Sequence, residues 1–288
     1  MMKRVVLFLI GLSLFTISTQ KSNAQDQMKE VYVKENIPFK KPVPYAYVRE
    51  ADVMWSKIIY RMIDLREKQN LPLYYPTQPI GNRMNLVDLL LYGIDNEGVR
   101  AFATDDPSGE FTVPMTRDQI DDAFGAGTDT IKTADPTTGQ LVERIVHQER
   151  QTYQVKQILV KEKWFFDKNA SVMKVQIIGL CPVRVYYRLD DQGLPTDQIQ
   201  KKKTFWVYFP EIRPILADHE IFNPHNDAQQ ISYDDFFWQR RFESFIFAES
   251  NVYNNRNINQ YALGMNALLE ARKIKEWLFN TEHDLWEY

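Results

Sequence analysis

Few residues in this chain have types that could do chemistry, and their spacing decides which chemistry is open to them. Asp105-Asp106, Asp121-Asp122, Asp190-Asp191 and Asp234-Asp235 are paired carboxylates, the raw material of an acid/base dyad. Neighbours on a strand face opposite ways and neighbours on a helix diverge by ~100°, so these pairs read as turn and cap acids. His219 and His225, with Asp218 and Asp227, supply metal-ligand types without a helix- or strand-based ligand spacing. Gly125-Ala126-Gly127-Thr128 lacks the lysine and following helix of a phosphate cradle and reads as a linker. Cys181, the single cysteine, follows Ile177-Ile178-Gly179-Leu180 and reads as a buried thiol, with an intermolecular disulfide as the alternative. No Gly-x-Ser-x-Gly nucleophile pattern occurs. The residues themselves therefore assign no catalytic group, no cofactor and no metal.

The elements around them are easier to read. Lys3 and Arg4 precede an apolar run over residues 5–17, and Ser22-Asn23-Ala24 closes the segment with small residues. That succession is a cleavable signal peptide over 1–24, too short to span a bilayer, and it implies export to the periplasm. No cysteine stands near the cleavage point, so no lipid anchor is expected there. Removing residues 1–24 takes away Lys3, Arg4 and Lys21 and moves the formal net charge from −3 to −6, which argues against nucleic acid as a partner. With 44% hydrophobic residues the chain has material for a sizeable core.

Residues 25–49 contain Pro38, Pro42 and Pro44 and read as an extended arm, either disordered or laid across another surface. Tyr32, Phe39, Tyr45 and Tyr47 are its candidate interface anchors. Residues 50–288 read as one α+β domain, a mainly antiparallel sheet flanked by N-terminal and C-terminal helices. Trp55, Ile58, Ile59, Met62 and Ile63 recur at three- and four-residue steps and predict a helix ending near Asn70-Leu71-Pro72. A short helix is expected over 86–92, closed by Gly93, and Thr116-x-x-Gln119 is a capping box opening a helix through Phe124. The 104–147 region is loop-rich, with a hairpin pairing 130–133 and 141–146 about a turn at 135–139.

Alternation at Met173, Val175, Ile177 and again at Val183, Val185, Tyr187, Leu189 predicts strands, with 153–166 as their partner turning at 167–169 and 205–209 as a further strand. Lys201-Lys202-Lys203 reads as a solvated run that discourages edge pairing, or as a contact for an acidic lipid or partner. Ser232-x-x-Asp235 opens a helix expected over 233–247, and a last helix is expected over 258–279 with Tyr261, Met265, Leu268, Leu269 and Ile274 as its core stripe. Phe236, Phe237 and Trp238 sweep about 200° of their helix at ~100° per residue, so they are buried in their own domain or covered by another protein.

The word ADVMWSKIIYRMIDLREKQNLPLYYP over 51–76, the preceding Tyr47-Val48-Arg49-Glu50 and the segment Asn85-Leu86-Val87-Asp88 resemble the GldN/PorN family. The residues that carry the likeness most strongly are Trp55, Asp64, Arg66, Glu67, Pro72, Tyr74, Tyr75 and Pro76. The resemblance implies a non-catalytic, periplasmic component of the Bacteroidetes type IX secretion system that also supports gliding motility. It implies a ring complex of many copies with the outer-membrane lipoprotein GldK/PorK, and contact with the periplasmic domain of GldM/PorM. Membrane association would then come only through partners, and no active-site residue or cofactor is carried over. A periplasmic ligand-binding module or hydrolase is the alternative class. N-terminal sequencing of the exported protein should read Gln25 as its first residue, and a retained Met1 would contradict export.

Overall fold

The stretch with the clearest helical stripe is a strand. Val53–Asp64 forms β1, and the expected helix over 51–71 is corrected. Tyr60, Arg61, Met62 and Ile63 are buried in succession, because this half of the strand is covered on both faces. Such burial erases the two-residue period and leaves a pattern that imitates a helix. The structure, a computed structural model, describes residues 40–80, 83–104, 110–134, 141–189, 195–226, 228–253 and 255–284. The expected signal peptide, residues 25–39 with Tyr32 and Phe39, Asp105-Asp106, the turn at 135–139, Asp190-Asp191 and Asp227 lie outside that set.

After β1 come a short helix α1 (Leu71–Tyr74), α2 (Leu86–Asn96), β2 (Ala101–Phe102) and α3 (Arg117–Ala123). The hairpin β3 (Gly127–Ala134) and β4 (Leu141–Gln148) follows, then β5 (Val155–Asp167), β6 (Val172–Leu189), β7 (Pro195–Lys203) and β8 (Trp206–Tyr208). The chain continues through α4 (Phe209–Asp218), β9 (Glu220–Ile221), β10 (Ile231–Ser232), α5 (Tyr233–Trp238), β11 (Phe245–Glu249) and α6 (Met265–Asp284). The main sheet runs β11-β1-β5-β6-β8-β2, with β7 also paired to β6, and its pairings are antiparallel. The fold is α+β, as the sequence implies.

Several boundaries differ from the sequence reading. The two strands expected in 173–189 are one strand, β6. Gly93 does not close α2: a Cβ there would lie 2.6 Å from the Ile212 side chain, so the glycine allows α4 to approach α2 closely. Phe209 belongs to α4, a helix disguised in the sequence by Pro210 and Pro214. The helix expected over 233–247 stops at Trp238, because Arg240 turns the chain at φ +52° and Phe245 begins β11. The last helix begins at Met265 and buries Ala267, Ile274 and Leu278, so the expected stripe of Tyr261, Met265, Leu268 and Leu269 is corrected to exposed.

One face of the sheet carries the helices. Ile63 and Ile158, with Leu180, Leu89 and Leu90 of α2, Ile212 of α4 and Phe237 of α5, form the main core. At the β11 end of the sheet, α6 packs Ala267, Ile274 and Leu278 onto Ile59 and Ile246. Trp277 of α6 meets Trp55 at 5.4 Å, and Lys57 lies 5.3 Å from its ring. A second cluster, Tyr60, Met62, Leu159, Cys181, Val183 and Trp206, is closed by the loop over residues 110–115, through Phe111. There Phe111, at φ +67°, sets its ring against Gly179, where an added Cβ would lie 2.4 Å from the ring. Glu110 secures that loop by accepting from Tyr60 Oη at 2.7 Å and pairing with Lys161. Burial pushes the Glu110 carboxyl up, but these bonds outweigh it and hold it below its ordinary value.

Glu162 on β5 is wholly buried. It accepts from Arg61 Nε at 3.1 Å, from Arg240 at 2.8 Å and from Trp164 Nε1 at 3.0 Å. Replacing Glu162 with alanine leaves Arg61 buried without a counter-charge, a change that costs about 3–5 kcal/mol. Urea unfolding of Glu162→Ala should show a large fall in midpoint, and Arg240→Ala, whose side chain is partly exposed, a smaller one.

Candidate protein-contact surfaces

Several of the residues with chemical potential are committed to the fold. His219 is buried, with Nδ1 3.0 Å from the Ile215 carbonyl oxygen of α4 and its ring 5.7 Å from Tyr92. His225 is exposed in a turn, where its backbone N–H donates to Asn223 Oδ1 at 3.1 Å. Asp218 is exposed, and Cys181 is a buried thiol that donates to the Pro182 carbonyl oxygen at 3.6 Å. Among the described residues, no three His, Cys, Asp or Glu side chains are placed to hold a metal. Asp121 pairs with Arg150, and Asp235 closes the capping box of α5 with Ser232. Gly125 turns at φ +69° against the Arg184 guanidinium, which is held by Gln154 at 2.7 Å and Gln151 at 2.8 Å.

Asp234 has a role its neighbour does not share. Arg213 donates to it through Nε at 2.8 Å and through a terminal nitrogen at 3.0 Å, and both side chains are buried. The outer face of this guanidinium carries two rings, Tyr45 at 4.5 Å and Trp238 at 5.2 Å. Those rings stack on each other at 5.5 Å with 26° between planes. Lys40 pairs with Asp235 beside them. Residues 40–49 therefore cross the domain's own face, above a cavity of about 370 Å³ lined by Val48, Ile177, Phe209 and Phe237. Burial pushes the Tyr45 hydroxyl up, partly opposed by Arg213. Of the candidate anchors, Phe236 and Phe237 are buried in the core, Trp238 is 49% exposed in this stack, and Tyr47 is 90% exposed.

Except for Trp55, which lies near the start of β1 against Trp277, the family-signature residues build a corner at the end of β1. Asp64 accepts from Arg66 Nε at 2.9 Å, from a terminal nitrogen of Arg66 at 2.6 Å and from the Arg66 backbone N–H at 3.0 Å. Asn70, fully buried, donates to the carbonyls of Asp64 at 2.8 Å and Glu243 at 2.9 Å, and accepts from the Glu243 N–H at 3.0 Å. Glu67 accepts from the same Asn70 amide at 3.3 Å. Pro72 is buried in α1, Tyr74 Oη receives a bond from Lys156 at 2.6 Å, and Tyr75 precedes the cis Pro76. Outside this corner lies a groove of about 600 Å³, lined by Leu71, Tyr75, Pro76, Ile80 and Phe222, with Lys68 and Arg83 at its charged margin.

A third surface lies along α6. With Ala267, Ile274 and Leu278 turned inward, Leu268, Arg272, Lys275 and Phe279 form a neighbouring stripe at i, i+4, i+7 and i+11. Leu268 is 61% exposed and Phe279 66%. Together with Phe245 and Ala271 they border a groove of about 480 Å³ beside β11. No signal in the sequence separated this outer stripe from the core stripe of the same helix.

A family model described as gliding motility associated protein GldN matches residues 48–287. The chain belongs to that family, which ties it to gliding motility and type IX secretion. No curated protein matches the chain.

The Arg66 clamp holds the Asp64 carboxyl down from its ordinary 3.8 to about 2. A depressed carboxylate stabilises the fold above its unfolded value and loses that contribution as pH falls through the folded one. Acid unfolding should therefore include a component between about pH 4 and pH 2 that Asp64→Asn removes, measured by circular dichroism on acid titration.

Proposed function

We propose that this GldN-family chain is a structural subunit of the periplasmic type IX secretion and gliding apparatus, without catalysis of its own. In this reading it forms a ring complex with the lipoprotein GldK/PorK and touches the periplasmic domain of GldM/PorM. Support comes from how the chain spends its side chains. His219, Cys181 and Asp234 serve local structure, while α6 leaves Leu268 and Phe279 facing water. An apolar stripe with Arg272 and Lys275 along it is the profile of a helix face that another protein covers. That stripe is the observation that carries the proposal.

The signature corner, whose Asn70 holds Glu243 beside the α6 groove, supports the same reading. Its hydrogen bonds give a rigid floor to an apolar groove, and rigid apolar concavities rimmed by charge suit protein contacts at low ordering cost. Tyr32 and Phe39, with the exposed Tyr47, are proposed as further anchors in the segment that leads into the domain.

Introducing charges at the two ends of the α6 stripe tests the proposal. Leu268→Lys combined with Phe279→Lys should abolish native co-purification of the lipoprotein partner and reduce type IX secretion, because the new charges lie beside Arg272 and Lys275 and burying an unpaired charge costs several kcal/mol. Both positions are exposed, so the circular dichroism spectrum should be unchanged. Normal co-purification by the double variant would move the contact away from α6. Loss of secretion by His219→Ala in a folded, fully assembled complex would overturn the non-catalytic reading.

A further inference from the structure

β6 is longer than its sheet. Its pairing with β5 ends at Arg184 and its pairing with β8 covers only Gly179 and Leu180. Past Arg184 its one partner among the described residues is β7, through Val185↔Lys201, Tyr186↔Gln200 and Tyr187↔Ile199. The two strands project as a ribbon, and the far edge of β7 has no strand beside it among the described residues. An isolated two-stranded ribbon is marginal in water, and Tyr187 and Ile199, opposite each other on one face, are 57% and 59% exposed.

The sequence of β7 is Pro195-Thr196-Asp197-Gln198-Ile199-Gln200-Lys201-Lys202-Lys203, and it is complementary to itself when reversed. We propose that β7 pairs antiparallel with β7 of a second copy of this chain, about a two-fold axis through Ile199. Ile199 then faces the partner's Ile199, Gln198 faces Gln200, and Asp197 faces Lys201 on both sides of the axis. A two-fold axis normal to the sheet keeps each side chain on its own face, so only registers centred on a residue are open.

Centring on Gln198 sets Ile199 against Asp197, and centring on Gln200 sets Ile199 against Lys201. Centring on Lys201 sets lysine against lysine, which is destabilising. The register through Ile199 matches apolar with apolar, amide with amide and acid with base. It also joins Tyr187 and Ile199 of both copies into one apolar strip. The lysines that guard this edge against indiscriminate pairing thereby select the one partner that offers Asp197.

This contact goes beyond the assembly reading and does not require it. An isologous pair closes on two copies, so a ring must be built through another face. A single strand pair buries far less than the ~1,200–2,000 Å² of a stable interface, so it acts where copies are already concentrated.

Cross-linking on the purified protein tests it. Ile199→Cys places a thiol on the axis, where opposed Cβ atoms lie ~4.5–5.5 Å apart, close to disulfide distance. The native Cys181 is buried and does not compete. Mild oxidation at high protein concentration should give a disulfide-linked dimer on a non-reducing gel, whereas Lys202→Cys should remain monomeric. In the Ile199→Cys background, Asp197→Lys or Lys201→Asp should lower the dimer yield by roughly tenfold, and the two together should restore it. Equal cross-linking at Lys202, no dimer from Ile199→Cys, or no recovery in the charge swap would each overturn the pairing. None of these results depends on binding to the lipoprotein, so failure here and failure of the assembly reading are separable.

Discussion

A carboxylate without water sets the terms for this fold. Glu162 sits in the middle of β5 with Arg61 from β1 and Arg240 from the turn after α5 closing on it, and Trp164 donating its indole N–H. Removing a carboxylate from water costs several kcal/mol, and only a full set of partners offsets that. The partners come from three separate parts of the chain, so the node forms only when all three are in place. Burial alone would pull the Arg61 guanidinium down, and Glu162 opposes that shift. The node also divides the helical face of the sheet. On one side α2, α4 and α5 share the main core, and on the other α6 packs on β1 and β11. Two irregularities in pairing fall at this point, between Tyr60 and Arg61 and between Lys161 and Glu162. Bulges of this kind re-aim side chains, and here they flank the residues that must meet.

What could be read from the sequence was what depends on near neighbours. The capping boxes at Thr116 and Ser232 form as read, with Gln119 and Asp235 answering their caps. The turn at Asp167 and the β5–β6 hairpin follow from alternation and local turn chemistry, with Asp167 Oδ1 accepting from the Asn169 N–H at 3.0 Å. What could not be read depends on partners far along the chain. β1 imitates a helix because it lies between two strands and under two layers. Phe245–Glu249 was lost to a helix because its partner is β1, far upstream. Arg61 and Glu162 are 101 residues apart, and no local pattern announces them.

The functional surfaces divide the same way. The family word over 51–76 was legible as a word, yet its residues make strand β1 and the corner after it instead of one long helix. Asp64, Arg66, Glu67 and Asn70 lock the end of β1 to the segment before β11, and Tyr75 and Pro76 face the groove outside. Trp238 was legible as an aromatic with an outward side, but its stacking on Tyr45 over Arg213 requires the fold. On α6, a core stripe and an outer stripe bounded by Leu268 and Phe279 share one helix, and only the sheet beneath it shows which is core and which is left exposed.

The position of β1 has a consequence for how the molecule comes into being. It is the first long strand described and lies inside the sheet, flanked by β5 on one edge and by β11 on the other. Its second edge is filled by residues 245–249, and Ile59 is covered by α6, near the end of the chain. A chain emerging from its N-terminus must therefore hold an apolar strand open until almost all of it has arrived. Loop closure over such a separation is slow, and an unpaired strand edge is a template for association meanwhile. The architecture makes chain completion come before folding: β1 has its second neighbour only once 245–249 are made, and α6 is the element that shuts the structure.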